Sequence, residues 1–147
     1  MELIERIIRT MIELHPIHPM MVHFPIALTG AGALFILLAV WKKSNALEQA
    51  AFANITLAAI GTVAAGFTGM MDNLNVYEGA APNASWKMVL AISLLAITAG
   101  TSIARWRNPN LFNSGSKTLY VSAYLISFLI AIVLAFLGGI ILYGFSE

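Results

Sequence analysis

Residues 18–41 read HPMMVHFPIALTGAGALFILLAVW, a run without a single charged side chain. A helix of this run is about 36 Å long at 1.5 Å per residue, and the hydrocarbon core of a bilayer is roughly 30 Å thick. The run therefore predicts a membrane-spanning helix that begins at Pro19 or at Pro25. Three further apolar runs complete a set of four predicted spans, at about 19–41, 46–71, 86–106 and 118–145.

Composition supports this interpretation. Only 10% of the residues are charged, 59% are hydrophobic, and the mean hydropathy is +0.82. A soluble domain of this size carries far more surface charge. The connectors are short and leave no room for a soluble domain, so we expect residues 1–147 to form one all-α membrane domain, a bundle of four transmembrane helices. No Lys, Arg or Glu lies in the middle of a span, which argues against an ion-coupled carrier, and no nucleic-acid patch is present.

Residues 1–14 predict an additional amphipathic helix. Apolar side chains such as Leu3 and Ile7 share one face, and the charged ones share the other. Opposite charges four residues apart, such as Glu2 and Arg6, favour the helix. We expect it to lie in the headgroup layer of the bilayer, although it could instead dock a partner subunit. Glutamates at the N-terminus indicate that no cleavable signal peptide is present.

The basic residues predict the orientation. With four spans, both termini and the middle loop share one side of the membrane. The other side carries five basic residues against three on the first: Lys42, Lys43, Arg105, Arg107 and Lys117 against Arg6, Arg9 and Lys87. Positive loops stay in the cytoplasm. We therefore expect a multi-pass protein of the cell (inner) membrane with both termini extracytoplasmic.

All three histidines of the chain, His15, His18 and His23, lie at the head of the first span. Histidine is a common ligand of metal ions and haem iron and is costly near hydrocarbon without a partner. His18 and His23 would point about 140° apart on a regular helix, which makes them a poor chelating pair unless Pro25 bends the helix. They could instead hydrogen-bond Asp72 and free carbonyls, joining the first two spans. His15 fits a solvated interfacial position better than a ligand.

The segment from His18 to Leu28, HPMMVHFPIAL, resembles the HPxxVHFPIAL signature of a widespread family of predicted membrane proteins, a domain of unknown function. The resemblance covers nearly the whole chain. It implies four spans with the motif at the head of the first, and a glycine-containing end of the second span that leads into an Asp, as Gly66, Gly69 and Asp72 do here. Some relatives are joined to a Rieske iron–sulfur domain, which implies a redox setting and haem b as a cofactor.

One position departs from the family pattern, which has a further histidine near the start of the third span. This chain reads NASWKM over residues 83–88. If the family holds iron between histidines of the first and third spans, Met88, Met70 or Met71 could replace the missing ligand, because haem accepts His/Met ligation. A second copy could also supply a histidine, or the site could be five-coordinate or empty. Asp72 could orient a ligating histidine by accepting its N–H, or could cap the loop that follows.

Three hypotheses follow. The leading one is an electron-transfer subunit that holds haem b near the extracytoplasmic face. His18 or His23 is the expected axial ligand, and Met70 and Met88 are candidates for the second axial ligand. Its expected partners are the subunits of a membrane redox complex or further copies of the same chain in a homo-oligomer. An accessory subunit is a better description of such a protein than a free-standing enzyme. The alternatives are a copper or zinc site built from His15, His18 and His23, and a cofactor-free structural subunit of a larger membrane complex.

The second span carries a row of small residues, Gly61, Ala65 and Gly69, at four-residue intervals. Small residues at this spacing let helix backbones approach closely. The same row could admit a flat macrocycle, although close helix packing is the commoner use.

Overall fold

The protein folds as a bundle of four long helices in a computed structural model that describes residues 3–4, 17–75 and 77–143. Helix α1 spans Ile17–Lys42, α2 Asn45–Asn75, α3 Ala84–Arg107 and α4 Lys117–Tyr143, and a short 3-10 turn at Leu111–Asn113 precedes α4. All four helices are long and apolar enough to cross a membrane. The predicted all-α fold with four transmembrane helices is therefore confirmed. The predicted amphipathic helix of residues 1–14 lies outside the described residues except for Leu3 and Ile4, and it stays a prediction.

The described part of α1 contains both prolines at which the sequence predicts the span to begin. The helix is present from Ile17, the first described residue of this segment, so His18 and Pro19 are helical. The bias of a residue before proline towards extended geometry is overridden at His18. The helix also continues through Pro25, whose side chain is buried.

The helices run up and down in sequence. Each packs against its two neighbours in the ring: α1 against α2 and α4, and α3 against α2 and α4. The apolar core contains Ile36 and Ala39 of α1, Ile55 of α2 and Tyr124 of α4. Phe112, in the 3-10 turn, closes the core at one end.

The two ends of the bundle carry different chemistry. The arginine end contains the C-termini of α1 and α3 and the N-termini of α2 and α4. The histidine end contains the N-termini of α1 and α3 and the C-termini of α2 and α4. Trp41 and Trp106 at the arginine end and Trp86 at the histidine end are largely exposed, as expected for side chains that anchor span ends in the headgroup layer.

The row of small residues on α2 faces α1, as close packing requires. A methyl group placed on Gly61 would lie 3.3 Å from Cδ of Pro25, and Ala65 is buried. At Gly69 the same methyl group would lie only 2.7 Å from Cε1 of His18. The space beside Gly69 is therefore filled by an imidazole of the protein itself.

Candidate functional site

His18 lies at the interface between α1 and α2. Its Nδ1 is 3.2 Å from the hydroxyl oxygen of Thr68, and its ring edge packs against Gly69. The Thr68 hydroxyl donates its one hydrogen to the carbonyls of Ala64 and Ala65, each 3.1 Å away. Its oxygen can therefore only accept from His18, and the proton of a neutral imidazole sits on Nδ1. His18 thus joins the first two spans through Thr68, whereas the sequence-based alternative had Asp72 as the partner.

His23 lies on a different side of α1 and is exposed at the surface of the bundle. Its Nδ1 is hydrogen-bonded to the carbonyl oxygen of Pro19, one turn earlier on the same helix. A carbonyl oxygen can only accept, so Nδ1 carries a proton, and in the neutral imidazole Nε2 therefore carries the lone pair. An imidazole whose Nδ1–H donates a hydrogen bond to a backbone carbonyl is oriented for metal ligation through Nε2.

The two histidines do not form a chelating pair. His18 is directed to α2, and His23 is directed out of the bundle. Among the described residues, no group of three or more His, Asp or Glu side chains could hold a metal ion. His15 lies outside the described part of the chain, so the three-histidine copper or zinc site stays a prediction.

The other candidate residues lie around the histidine end. Met70 is 60% exposed and Met88 is 54% exposed, so both side chains face outward from the bundle. Met71 is also exposed. Asp72 is half-buried on α2. An axial role for either methionine therefore requires a cofactor on the outer surface of the bundle.

A second polar cluster, which the sequence analysis missed, lies inside the arginine end. Glu48 in the first turn of α2 is only 2% exposed, and Arg105 near the end of α3 is 12% exposed. The guanidinium donates from Nε to Oε1 at 2.6 Å and from Nη2 to Oε2 at 2.9 Å. This two-bond geometry is the strongest that an Arg–carboxylate pair adopts.

Two tyrosines of α4 extend this cluster. The Tyr120 hydroxyl donates to Oε1 of Glu48 at 2.7 Å and lies 2.8 Å from the Tyr124 hydroxyl. Because Tyr120 uses its one hydrogen on Glu48, Tyr124 is the donor in the second bond. The two rings pack edge to face with their centroids 5.2 Å apart, and a methyl group placed on Gly32 of α1 would lie 3.4 Å from the Tyr124 ring. The cluster of Glu48, Arg105, Tyr120 and Tyr124 thus connects all four helices.

A signal for this cluster was present in the sequence. Glu48 and Arg105 are opposite charges at span ends on the same side of the membrane, and ionisable residues within spans are usually paired. Tyr120 and Tyr124 are four residues apart and therefore share one helix face. What the sequence did not contain was the lateral order of the helices, which decides that α2, α3 and α4 bring these faces together.

The family model described as "Predicted membrane protein (DUF2231)" matches residues 14–146 of this chain. The chain belongs to this family. Membership agrees with the four apolar helices and confirms the resemblance on which the sequence analysis drew. No significant match was found among curated proteins or among solved structures. The family description itself states a membrane location and no activity.

Proposed function

We propose that this protein is a haem b-binding electron-transfer subunit of a membrane complex, and that Nε2 of His23 is the axial ligand to the iron. The observation that carries this proposal is the hydrogen bond from Nδ1 of His23 to the Pro19 carbonyl. It places the lone pair on Nε2 and directs an outward-facing imidazole for ligation. His18 is the weaker candidate, because its ring is packed against Gly69.

The donor set favours haem over a bare copper or zinc ion. Haem brings four nitrogen ligands of its own, so the protein needs to supply only one or two. Copper and zinc sites take three or four ligands from protein side chains. In the described part of the chain, no cluster of three such side chains is found, whereas His23 alone meets the need of haem.

The surroundings of His23 also fit an apolar macrocycle. Met20, Phe24 and Ala27, which neighbour it on α1, are exposed apolar side chains. In water such a surface would be unfavourable, but it is compatible with lipid or with a flat apolar group. The chain would hold and orient the haem and keep water from it, while the bound haem would supply the one-electron chemistry.

Because His23 faces outward, a neighbouring protein could cover the proposed cofactor. A group held by His23 would lie on the surface of the bundle. A second copy of this chain or another subunit would cover it there and could supply a further ligand. Met70 and Met88, both exposed, are the candidates on this chain. The preference for basic residues at the arginine end supports an extracytoplasmic location for the histidine end.

The proposal is tested by absorption spectroscopy of the protein purified in detergent from cells supplied with haem precursor. We expect a Soret band that sharpens on dithionite reduction. His23→Ala should remove or shift this band, and His15→Ala should leave it unchanged. If His23 is itself the ligand, added imidazole should restore the band in His23→Gly, since free imidazole can occupy the position that the side chain has left.

Three outcomes would contradict the proposal. Equal loss of the band from His15→Ala and His23→Ala would remove the assignment to His23. A colourless protein that retains copper or zinc by elemental analysis would favour the metal site. A colourless, metal-free protein that co-purifies with fixed partners in constant ratio would favour the structural subunit.

A further inference from the structure

A groove opens between α1 and α4 at the arginine end, and its lining contains none of the candidate-site residues described above. It has a volume of about 210 Å³ and is lined by Val40 of α1 and by Lys117, Thr118, Val121 and Ser122 of α4. The lining divides into two parts. One part is a strip of polar side chains on the first two turns of α4, and the other is a pair of valines, one from each helix.

The cationic group of this strip is Lys117, the first residue of α4. Its ammonium nitrogen lies 4.6 Å from the centroid of the Phe112 ring, a contact that is attractive for a cation and restricts the position of the ammonium group. Lys117 has no carboxylate partner in the described residues, in contrast to Arg105 at the same end, which is bound to Glu48. Its positive charge is therefore available to an anion.

The hydroxyl groups of the strip are unlike most others in the bundle. Serine and threonine side chains on the helices usually donate to a carbonyl of their own helix, as Thr29, Thr56, Thr62, Thr98 and Ser102 do. Thr118 and Ser122, which are one turn apart on the face that lines the groove, make no such bond within the described structure. Their hydrogens remain available to an acceptor in the groove.

The first turn of α4, beside the groove, also has backbone donors. The N–H groups of Lys117 and Tyr120 bond to the carbonyls of Ser114 and Ser116. The N–H groups of Thr118 and Leu119, which lie between them in the first turn, have no such acceptor among the described residues. The start of a helix is favourable for a negative charge. The lining of the groove thus contains one ammonium group, two hydroxyl groups and no carboxylate.

We propose that this groove binds the phosphate headgroup of an anionic phospholipid from the leaflet at the arginine end. The donors of Lys117, Thr118 and Ser122 contact the phosphate oxygens, and Val40 and Val121 contact the glycerol and the first acyl methylenes. Basic grooves between transmembrane helices at the headgroup level recognise lipid in this way. The apolar half of the lining is what favours a lipid over a free phosphate ion.

The experiment measures how many lipids the purified full-length protein retains, by native mass spectrometry after exposure to phosphatidylglycerol or phosphatidylcholine with the same acyl chains. We expect one phosphatidylglycerol to be retained in preference to phosphatidylcholine. Lys117→Gln should lower this retention about fivefold, as expected for one basic residue near an anionic headgroup. The double variant Thr118→Val/Ser122→Ala should lower it as well without changing the net charge.

Arg107→Gln is the matched control, because Arg107 is an exposed basic residue at the same end that does not line the groove. Retention should stay unchanged in this variant. An equal fall in Arg107→Gln and Lys117→Gln would show diffuse attraction to the whole surface and overturn the proposal. It would also be overturned if inorganic phosphate displaced phosphatidylglycerol at equal concentration, since the site would then recognise the free ion. Unchanged melting of each variant in detergent confirms that it is folded.

Discussion

The polar side chains at the two ends of the bundle differ in their hydrogen-bond partners. At the arginine end, the carboxylate of Glu48 receives hydrogen bonds from Arg105 and Tyr120, so that its charge is compensated within the bundle. At the histidine end, His18 makes one bond to a neighbouring helix, and His23 bonds only to its own helix while its ring faces outward. The comparison separates polar groups that hold helices together from polar groups that remain able to bind a ligand.

The largest effect is expected at the arginine end. Glu48→Ala leaves the guanidinium of Arg105 partly buried without its counter-charge, and removing one partner of a buried ion pair costs about 3–5 kcal/mol. We therefore expect a marked fall in the free energy of unfolding, measured by thermal or SDS denaturation in mixed micelles. Glu78→Ala, in the exposed loop between α2 and α3, is the control and should change stability by less than about 0.5 kcal/mol.

A double variant distinguishes a compensated charge pair from simple loss of packing. Glu48→Leu/Arg105→Leu removes both charges and keeps apolar volume, and such replacements are often neutral or stabilising. It should therefore be more stable than Glu48→Ala alone. If the double variant is as unstable as Glu48→Ala, the loss of stability in the single variant does not come from the unpaired charge of Arg105.

A smaller effect is expected where His18 packs against α2. Gly69→Ala places a methyl group 2.7 Å from Cε1 of the His18 ring. The ring and the two helices must then move apart, and overpacking of this kind costs about 1–3 kcal/mol. Gly66→Ala is the matched control, because no atom lies within 4 Å of its added methyl group. It should cause no loss of stability.

The origin of the Gly69→Ala effect can be tested by a double-mutant cycle. His18→Ala removes the ring that the new methyl group meets, so Gly69→Ala should cost much less in that background than in the native one. Additive costs would indicate that the clash is not with His18. In that case the close contact would not describe how α1 and α2 pack at the histidine end.

The smallest effect is expected in the middle of the bundle. Within the described residues, the buried hydroxyl of Ser127 has no hydrogen-bond partner. A buried polar group without a partner is unfavourable, so Ser127→Ala should be neutral or stabilise the protein by about 1 kcal/mol at most. Ser102→Ala should instead destabilise by about 1 kcal/mol, because this hydroxyl bonds both the Thr98 carbonyl and Thr56. A clear loss of stability in Ser127→Ala would mean that a buried water satisfies the hydroxyl.

Much of the fold could be predicted from residue type and spacing alone. The four apolar runs are long enough to span a bilayer, and backbone groups in hydrocarbon must be satisfied within a helix, so length and composition decide the element type. The same kind of reasoning placed the small residues of α2 at a helix interface.

The candidate site was predictable only as a set of residue types. The sequence determined that three histidines stand at the head of the first span and that a small-residue row follows in the second. Only the tertiary structure decided that His18 fits beside Gly69 while His23 faces outward, and that Glu48, Arg105 and two tyrosines meet at the other end. The physical reason is that helical periodicity fixes which residues share a face, whereas the rotation and order of the helices, which depend on the packing of all four, determine which faces meet.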